Sequence, residues 1–152
     1  MGISRPAVTI AAAAALTAGG CSPAKPIDRL TGTTWQLTSI ESMTSEQAGT
    51  TIEDPARYTV TFGEDGKAGF RVDCNRGNST WKADPAAADS GSLIFGPIAL
   101  TRMMCPQPSD DTKVAAALGQ VRSYLFSDGT LHLSLQADGG IMHWKPAVPG
   151  TT

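Results

Sequence analysis

Charge is scarce in this sequence, and basic charge is scarcer than acidic. Charged residues make up 17% of the 152, with 12 Lys and Arg against 14 Asp and Glu, for a net charge of −2. No basic cluster stands anywhere along the chain, which excludes a nucleic-acid face and a polybasic membrane patch. Histidine occurs only at His132 and His143, and cysteine only at Cys21, Cys74 and Cys105. No C-x-x-C occurs and no histidine neighbours a cysteine, which argues against zinc and against a thioredoxin-like redox pair. The serines have no G-x-S-x-G and no strand–elbow–helix context to make a catalytic triad. A phosphate-cradling glycine loop and internal repeats are also missing. The longest apolar, uncharged stretch, residues 7–18, is too short to span a bilayer.

That stretch suits the core of a signal peptide. It follows a short segment whose one charge is Arg5, and it leads into Leu16-Thr17-Ala18-Gly19-Gly20-Cys21. Small residues directly before a cysteine resemble a bacterial lipobox, with Ala18 at the usual leucine position and Leu16 displaced. In such signals the thiol takes a diacylglyceryl group, the preceding segment is cleaved, and the new amine is acylated. Residues 1–20 are therefore expected to be a lipoprotein signal peptide and Cys21 the lipidation site, the alternative being an ordinary secretory signal with a stray cysteine. Several acyl chains, at about 0.8 kcal/mol per buried methylene, would anchor the protein to a membrane. Residues 21–29, with Pro23 and Pro26, read as an extended tether. Residues 30–146 read as one domain and 147–152 as a flexible tail. Without residues 1–20, which contain Arg5, 11 basic and 14 acidic residues remain.

With Cys21 assigned, Cys74 and Cys105 remain, 31 positions apart in an exported chain. They are expected as a disulfide, the alternative being two buried free thiols. Around them the pattern is mostly of period two. Residues 33–40 form a first strand with Trp35, Leu37 and Ser39 on one face. Residues 41–55 read as a surface loop. Residues 57–62 and 68–74 form a hairpin through Gly63-Glu64-Asp65-Gly66, expected to pair Phe62 with Phe70, Val60 with Val72 and Tyr58 with an inward Cys74. This register needs an odd-length loop with Gly66 left-handed. Short strands follow at 79–83, 92–95 and 98–101.

Val114, Leu118, Val121 and Leu125 then recur at helical spacing, and the helix is expected over about 109–123 with Ser109, Asp110 or Asp111 as its cap. A last hairpin with a two-residue Asp138-Gly139 turn would pair Leu135 with Met142 and Leu133 with Trp144. It would leave His132 and His143 as diagonal neighbours on the outer face, within reach of a shared metal ion. No third ligand is evident, so no metal and no cofactor are predicted. Thr101 and Arg102 could hold an anion or a partner carboxylate. Met103-Met104 reads as core cover, with an adaptable contact surface as the alternative.

Several of these residues together resemble the META domain, or HslJ-like, family. They are Leu30-x-Gly32-x-x-Trp35-x-Leu37, Phe62-x-x-Asp65-Gly66, Cys74-Asn75 with Trp81 seven residues after the cysteine, and Leu93-x-Phe95-x-Pro97. Thr101-Arg102-Met103-Met104-Cys105 and Gly129-x-Leu131-x-Leu133 complete the series. Two positions depart from the family's habit: Asp73 and Ser79 stand where glycine is frequent. The resemblance implies an α+β, mainly β domain. The form expected is a compact antiparallel sheet or partly open barrel of about 7–9 short strands with one helix, commonly on an envelope lipoprotein. It also implies links with heat shock, antibiotic resistance, and motility or secretion, and no established catalysis.

The expected function is accordingly that of a non-enzymatic, lipid-anchored interaction or assembly module in envelope stress. Asn75, Thr101 and Arg102 are the candidate contacts with an envelope protein partner or an acyl-chain ligand. The protein is expected as a monomer facing the periplasm or cell exterior from the cell membrane or outer membrane. A second reading is a carrier holding a small apolar ligand in a barrel cavity lined by Phe70, Trp81, Leu118 and Val121. A third is an envelope hydrolase, which would need a serine or histidine in a cleft with a perturbed pKa.

Overall fold

Alternation of buried and exposed side chains runs through most of the chain and builds its walls. The computed structural model describes residues 29–44 and 46–147, with Gly2, Gly19 and Gly20. Cys21, most of the signal and tether segments, and the tail from 148 lie outside the described residues. The strands are β1 (Thr33–Glu41), β2 (Thr50–Thr51), β3 (Tyr58–Phe62), β4 (Lys67–Val72), β5 (Asn75–Pro85) and β6 (Ser90–Phe95). They continue with β7 (Ala99–Leu100), β8 (Val121–Ser127), β9 (Thr130–Leu135) and β10 (Ile141–Pro146). One helix, α1 (Asp111–Leu118), separates β7 from β8.

Eight strands pair antiparallel in the order β10-β9-β8-β6-β5-β4-β3-β1, and β1 pairs with β10 to close the ring. The two-residue strands β2 and β7 lie outside this circuit, on β1 and β5. The fold is thus the expected mainly β domain with one helix, in the form of a closed barrel. At eight strands a barrel is just wide enough for inward side chains to fill it. Val60, Phe62, Leu37, Leu93, Leu131 and Met142 do so, all fully buried. Helix α1 lies over one end and buries Val114, Ala117 and Leu118. Its surroundings are tied down by Asp110 N–H donating to Tyr58 Oη at 3.0 Å and Lys113 Nζ donating to Thr50 Oγ1 at 2.7 Å. Tyr124 Oη and Trp144 Nε1 are buried with no hydrogen-bond partner among the described residues.

Several local expectations are corrected. The helix ends at Leu118, not near 123, because Gly119 and Gln120 turn the chain and Val121 opens a strand. Leu125 then faces outward, at 46% exposure. In β1 the register slips between Leu37 and Ser39, and this bulge brings Ile40 to the core in place of Ser39. The segment read as a surface loop carries β2 and the buried Ile52.

Both hairpins keep their predicted faces but sit two residues from the predicted register. Val60 pairs with Phe70, Tyr58 with Val72 and Phe62 with Ala68. Gly66 is left-handed, as expected, at φ +73°. In the last hairpin Leu133 pairs with Met142 and Leu131 with Trp144. Its loop is longer than an Asp-Gly turn: Ala137 and Asp138 both take positive φ, and Leu135 N–H reaches Gly140 O at 3.0 Å.

Candidate functional site

The site begins where β4 ends. Val72 pairs with Asn75, so Asp73 and Cys74 form a two-residue turn and Cys74 does not continue a strand into the core. Asp73 is buried with φ +58°, a left-handed conformation that costs most side chains about 1–2 kcal/mol. Its surroundings hold it there. Its N–H donates to Arg57 O at 2.8 Å, and its carboxylate pairs with the Arg57 guanidinium and accepts the Ser109 hydroxyl at 2.5 Å. Its carbonyl accepts from Arg76 Nη1 at 3.2 Å. Sequence reasoning missed this hub, although the glycine usual at its position was a signal that positive φ is required there.

Cys74 and Cys105 form the expected disulfide, with Cα atoms 5.5 Å apart. Beside it Asn75, only 5% exposed, seizes the segment 101–105, called the strap below. Asn75 Oδ1 accepts from Met103 N–H at 2.7 Å and from Thr101 Oγ1 at 2.9 Å. Asn75 Nδ2 donates to Met103 O at 3.1 Å. Thr101 also accepts from Arg76 N–H at 3.0 Å through its hydroxyl. Upstream, β7 can lie on β5 because position 77 is glycine: a Cβ there would stand 2.6 Å from Ala99 O.

The structure therefore brings Asn75, Thr101 and Arg102 together, but in different roles. Asn75 and Thr101 spend their polar atoms inside the protein. Arg102 is exposed, and its side chain has no hydrogen bond or ion pair among the described residues. Met103 and Met104 do not cover the core. They are 60% and 96% exposed, because Asn75 holds the Met103 backbone and Cys105 is the residue that turns inward. Along the strap runs an open groove of about 790 Å³, lined among others by Val72, Ile98, Leu100, Arg102, Met103 and Ala115. A second groove, of about 470 Å³, lies between α1 and the rim at Ile40 and Leu135.

The two histidines lie elsewhere, on the outer wall. They are direct partners across β9 and β10 and not diagonal neighbours, owing to the two-residue register shift. His132 Nδ1 and His143 Nδ1 are 2.8 Å apart, and His143 Nε2 lies 3.0 Å from Glu41 Oε2. Burial lowers the His132 pKa, with the His143 charge acting in the same sense, while the Ser127 backbone and Asp128 oppose the shift. Neither histidine lines the two grooves, and no serine hydroxyl bonds a histidine among the described residues. No group of three or more His, Cys, Asp or Glu converges on a metal position among them either.

A closed eight-stranded barrel, one helix over its end and a disulfide-bound strap beside an open groove define a small antiparallel barrel domain. The chain belongs to the META domain family, whose pattern matches residues 28–147. Its fold is similar to the solution structure of a protein from Burkholderia xenovorans, with a TM-score of 0.62 and 19% identity over 91% of this chain and 99% of that one. It is also similar to the crystal structure of a DUF4847 family protein from Bacteroides vulgatus, with a TM-score of 0.55 and 14% identity over 78% of this chain and 94% of that one. No curated protein matches the sequence.

Proposed function

We propose that this chain is a non-enzymatic envelope lipoprotein, held to a membrane through Cys21, that works as an interaction or assembly module in the envelope stress response. The observation that carries this reading is the strap. Asn75 and the disulfide fix its backbone while Arg102, Met103 and Met104 remain exposed beside the groove. A rigid backbone presenting adaptable methionines and one free cation suits a partner segment that is apolar with an acidic group. The anchor rests on the lipobox, and the stress link on the family resemblance.

The carrier reading has less support. Phe70, Trp81, Leu118 and Val121, the residues named for a cavity lining, are packed in the core, so an acyl chain would be left to the groove.

Photo-cross-linking in a bacterial host tests the proposal. A photoreactive residue at position 104 of the full chain should trap one envelope protein, and the same probe at position 125, exposed on β8 outside the groove lining, should not. Arg102→Glu should abolish the adduct. Cys21→Ala should release the chain from the membrane fraction. Adducts of equal yield from both positions, or from neither, would overturn the interaction reading. A retained acyl-chain mass in native mass spectrometry would favour the carrier.

A further inference from the structure

We propose that His132 and His143 form a binding site for a divalent transition metal, Cu2+ above all, on the outer wall of the barrel, with Glu41 as the positioning residue for His143. The site joins three adjacent strands: β9 supplies His132, β10 supplies His143 and β1 supplies Glu41. The two Nδ1 atoms stand 2.8 Å apart. With metal–nitrogen bonds of about 2.0–2.1 Å, two neighbouring ligands of a square arrangement lie about 2.9 Å apart, and two ligands of a tetrahedron about 3.3 Å. The observed spacing is that of a hydrogen bond between the two rings, and it lies near enough to both figures for small ring rotations to seat an ion; Cu2+ comes first because it heads the affinity order of these ions for nitrogen sites.

The surroundings suit a ligand pair. His143 Nε2 faces the Glu41 carboxylate at 3.0 Å. A carboxylate accepting the far N–H fixes the tautomer that leaves Nδ1 free to ligate, the arrangement typical of metal-binding histidines. The His143 carbonyl accepts the Thr38 hydroxyl at 2.9 Å, which ties its backbone across the β1–β10 seam. Both rings are half-buried and alternate with inward-facing Leu131, Leu133, Met142 and Trp144, so an ion would sit outside the barrel with water completing its shell. Without metal, one ring donates its Nδ1–H to the other. Metal entry replaces that hydrogen bond, and the displaced proton passes to Nε2 of the same ring or to water.

The test is a Cu2+ titration of the purified full chain, carrying no polyhistidine tag, followed by tryptophan fluorescence and by electron paramagnetic resonance. The expected result is one Cu2+ per chain with hyperfine structure from two nitrogens. His132→Gln and His143→Gln should each weaken binding at least 30-fold, and Glu41→Gln about 10-fold. Zn2+ should bind at least 10-fold more weakly than Cu2+. Thermal melts of each variant check its fold, and the two-nitrogen signature of the unmodified chain does not depend on any variant folding. A spectrum without imidazole nitrogens, or a folded His132→Gln/His143→Gln double variant that binds Cu2+ as well as the parent, overturns the site.

Discussion

Asn75 holds both backbone groups of Met103, accepting its N–H at 2.7 Å and donating to its carbonyl at 3.1 Å. One buried amide thus does for the strap what a neighbouring strand would do, just beyond the point where β7 leaves its pairing with Gly77 and Asn78.

Removing that amide should loosen the strap and lower stability together. Asn75→Ala leaves the Met103 N–H and the Thr101 hydroxyl without their acceptor, at a cost of about 2–3 kcal/mol. Asn75→Asp keeps both accepted bonds but sets a buried carboxylate oxygen against Met103 O, so at neutral pH it should cost at least as much as Asn75→Ala. Urea denaturation ranks the two, and equal midpoints for Asn75→Ala and the parent would remove the clamp from the account.

The disulfide closes a loop with a sequence separation of 31. In the chain-entropy description a loop of that size contributes about 3–4 kcal/mol. Cys105→Ser should therefore melt well below the parent under oxidising conditions while leaving the proposed membrane attachment through Cys21 unchanged. Thermal melts with and without reductant, together with membrane fractionation, measure both halves of that expectation.

At Asp73 two effects oppose each other. Asp73→Ala loses the Arg57 pair and the Ser109 bond yet keeps the left-handed backbone, and should cost about 3 kcal/mol. Asp73→Gly loses the same contacts but suits φ +58°, and should recover about 1 kcal/mol of that loss. If Ala proves no worse than Gly in chemical denaturation, the backbone argument at this turn is mistaken.

His132 gives stability a pH dependence. Its pKa is lowered from the ordinary 6.5, first by burial and then by His143, so the unfolded chain binds this proton more readily than the folded one. The contribution is complete above about pH 6.5 and is lost as pH falls from there towards the lowered folded value. Melting temperature should drop across that window, and His132→Gln should flatten this part of the profile. An unchanged profile in the variant would assign the dependence to another group.

The barrel was legible where side-chain alternation alone decides it, as in Val60 and Phe62 or Leu131 and Leu133. Register was not legible, because a slip of two residues keeps every side chain on its face and costs the pattern nothing. Both hairpins slipped in this way, and the second slip turned His132 and His143 from diagonal into facing residues. The helix was overextended because Val114, Leu118, Val121 and Leu125 satisfy a helical period, while a bulge between Val121 and Ser123 hides the strand's alternation. The cysteine pair could be read from parity and export. The role of Asn75 could not, since an asparagine beside a cysteine looks the same in a sequence whether it serves a ligand or its own backbone.

The seam between β1 and β10 has a consequence for the crowding that the proposed anchor would impose. Those two strands would be the open margins of a flat sheet, and each would offer its amides and carbonyls to the next molecule. Joined along Trp35 to Glu41, they offer little backbone to a passing strand. Neighbours packed at high density then have little template for fibre-like growth, and recognition of any partner falls to side chains.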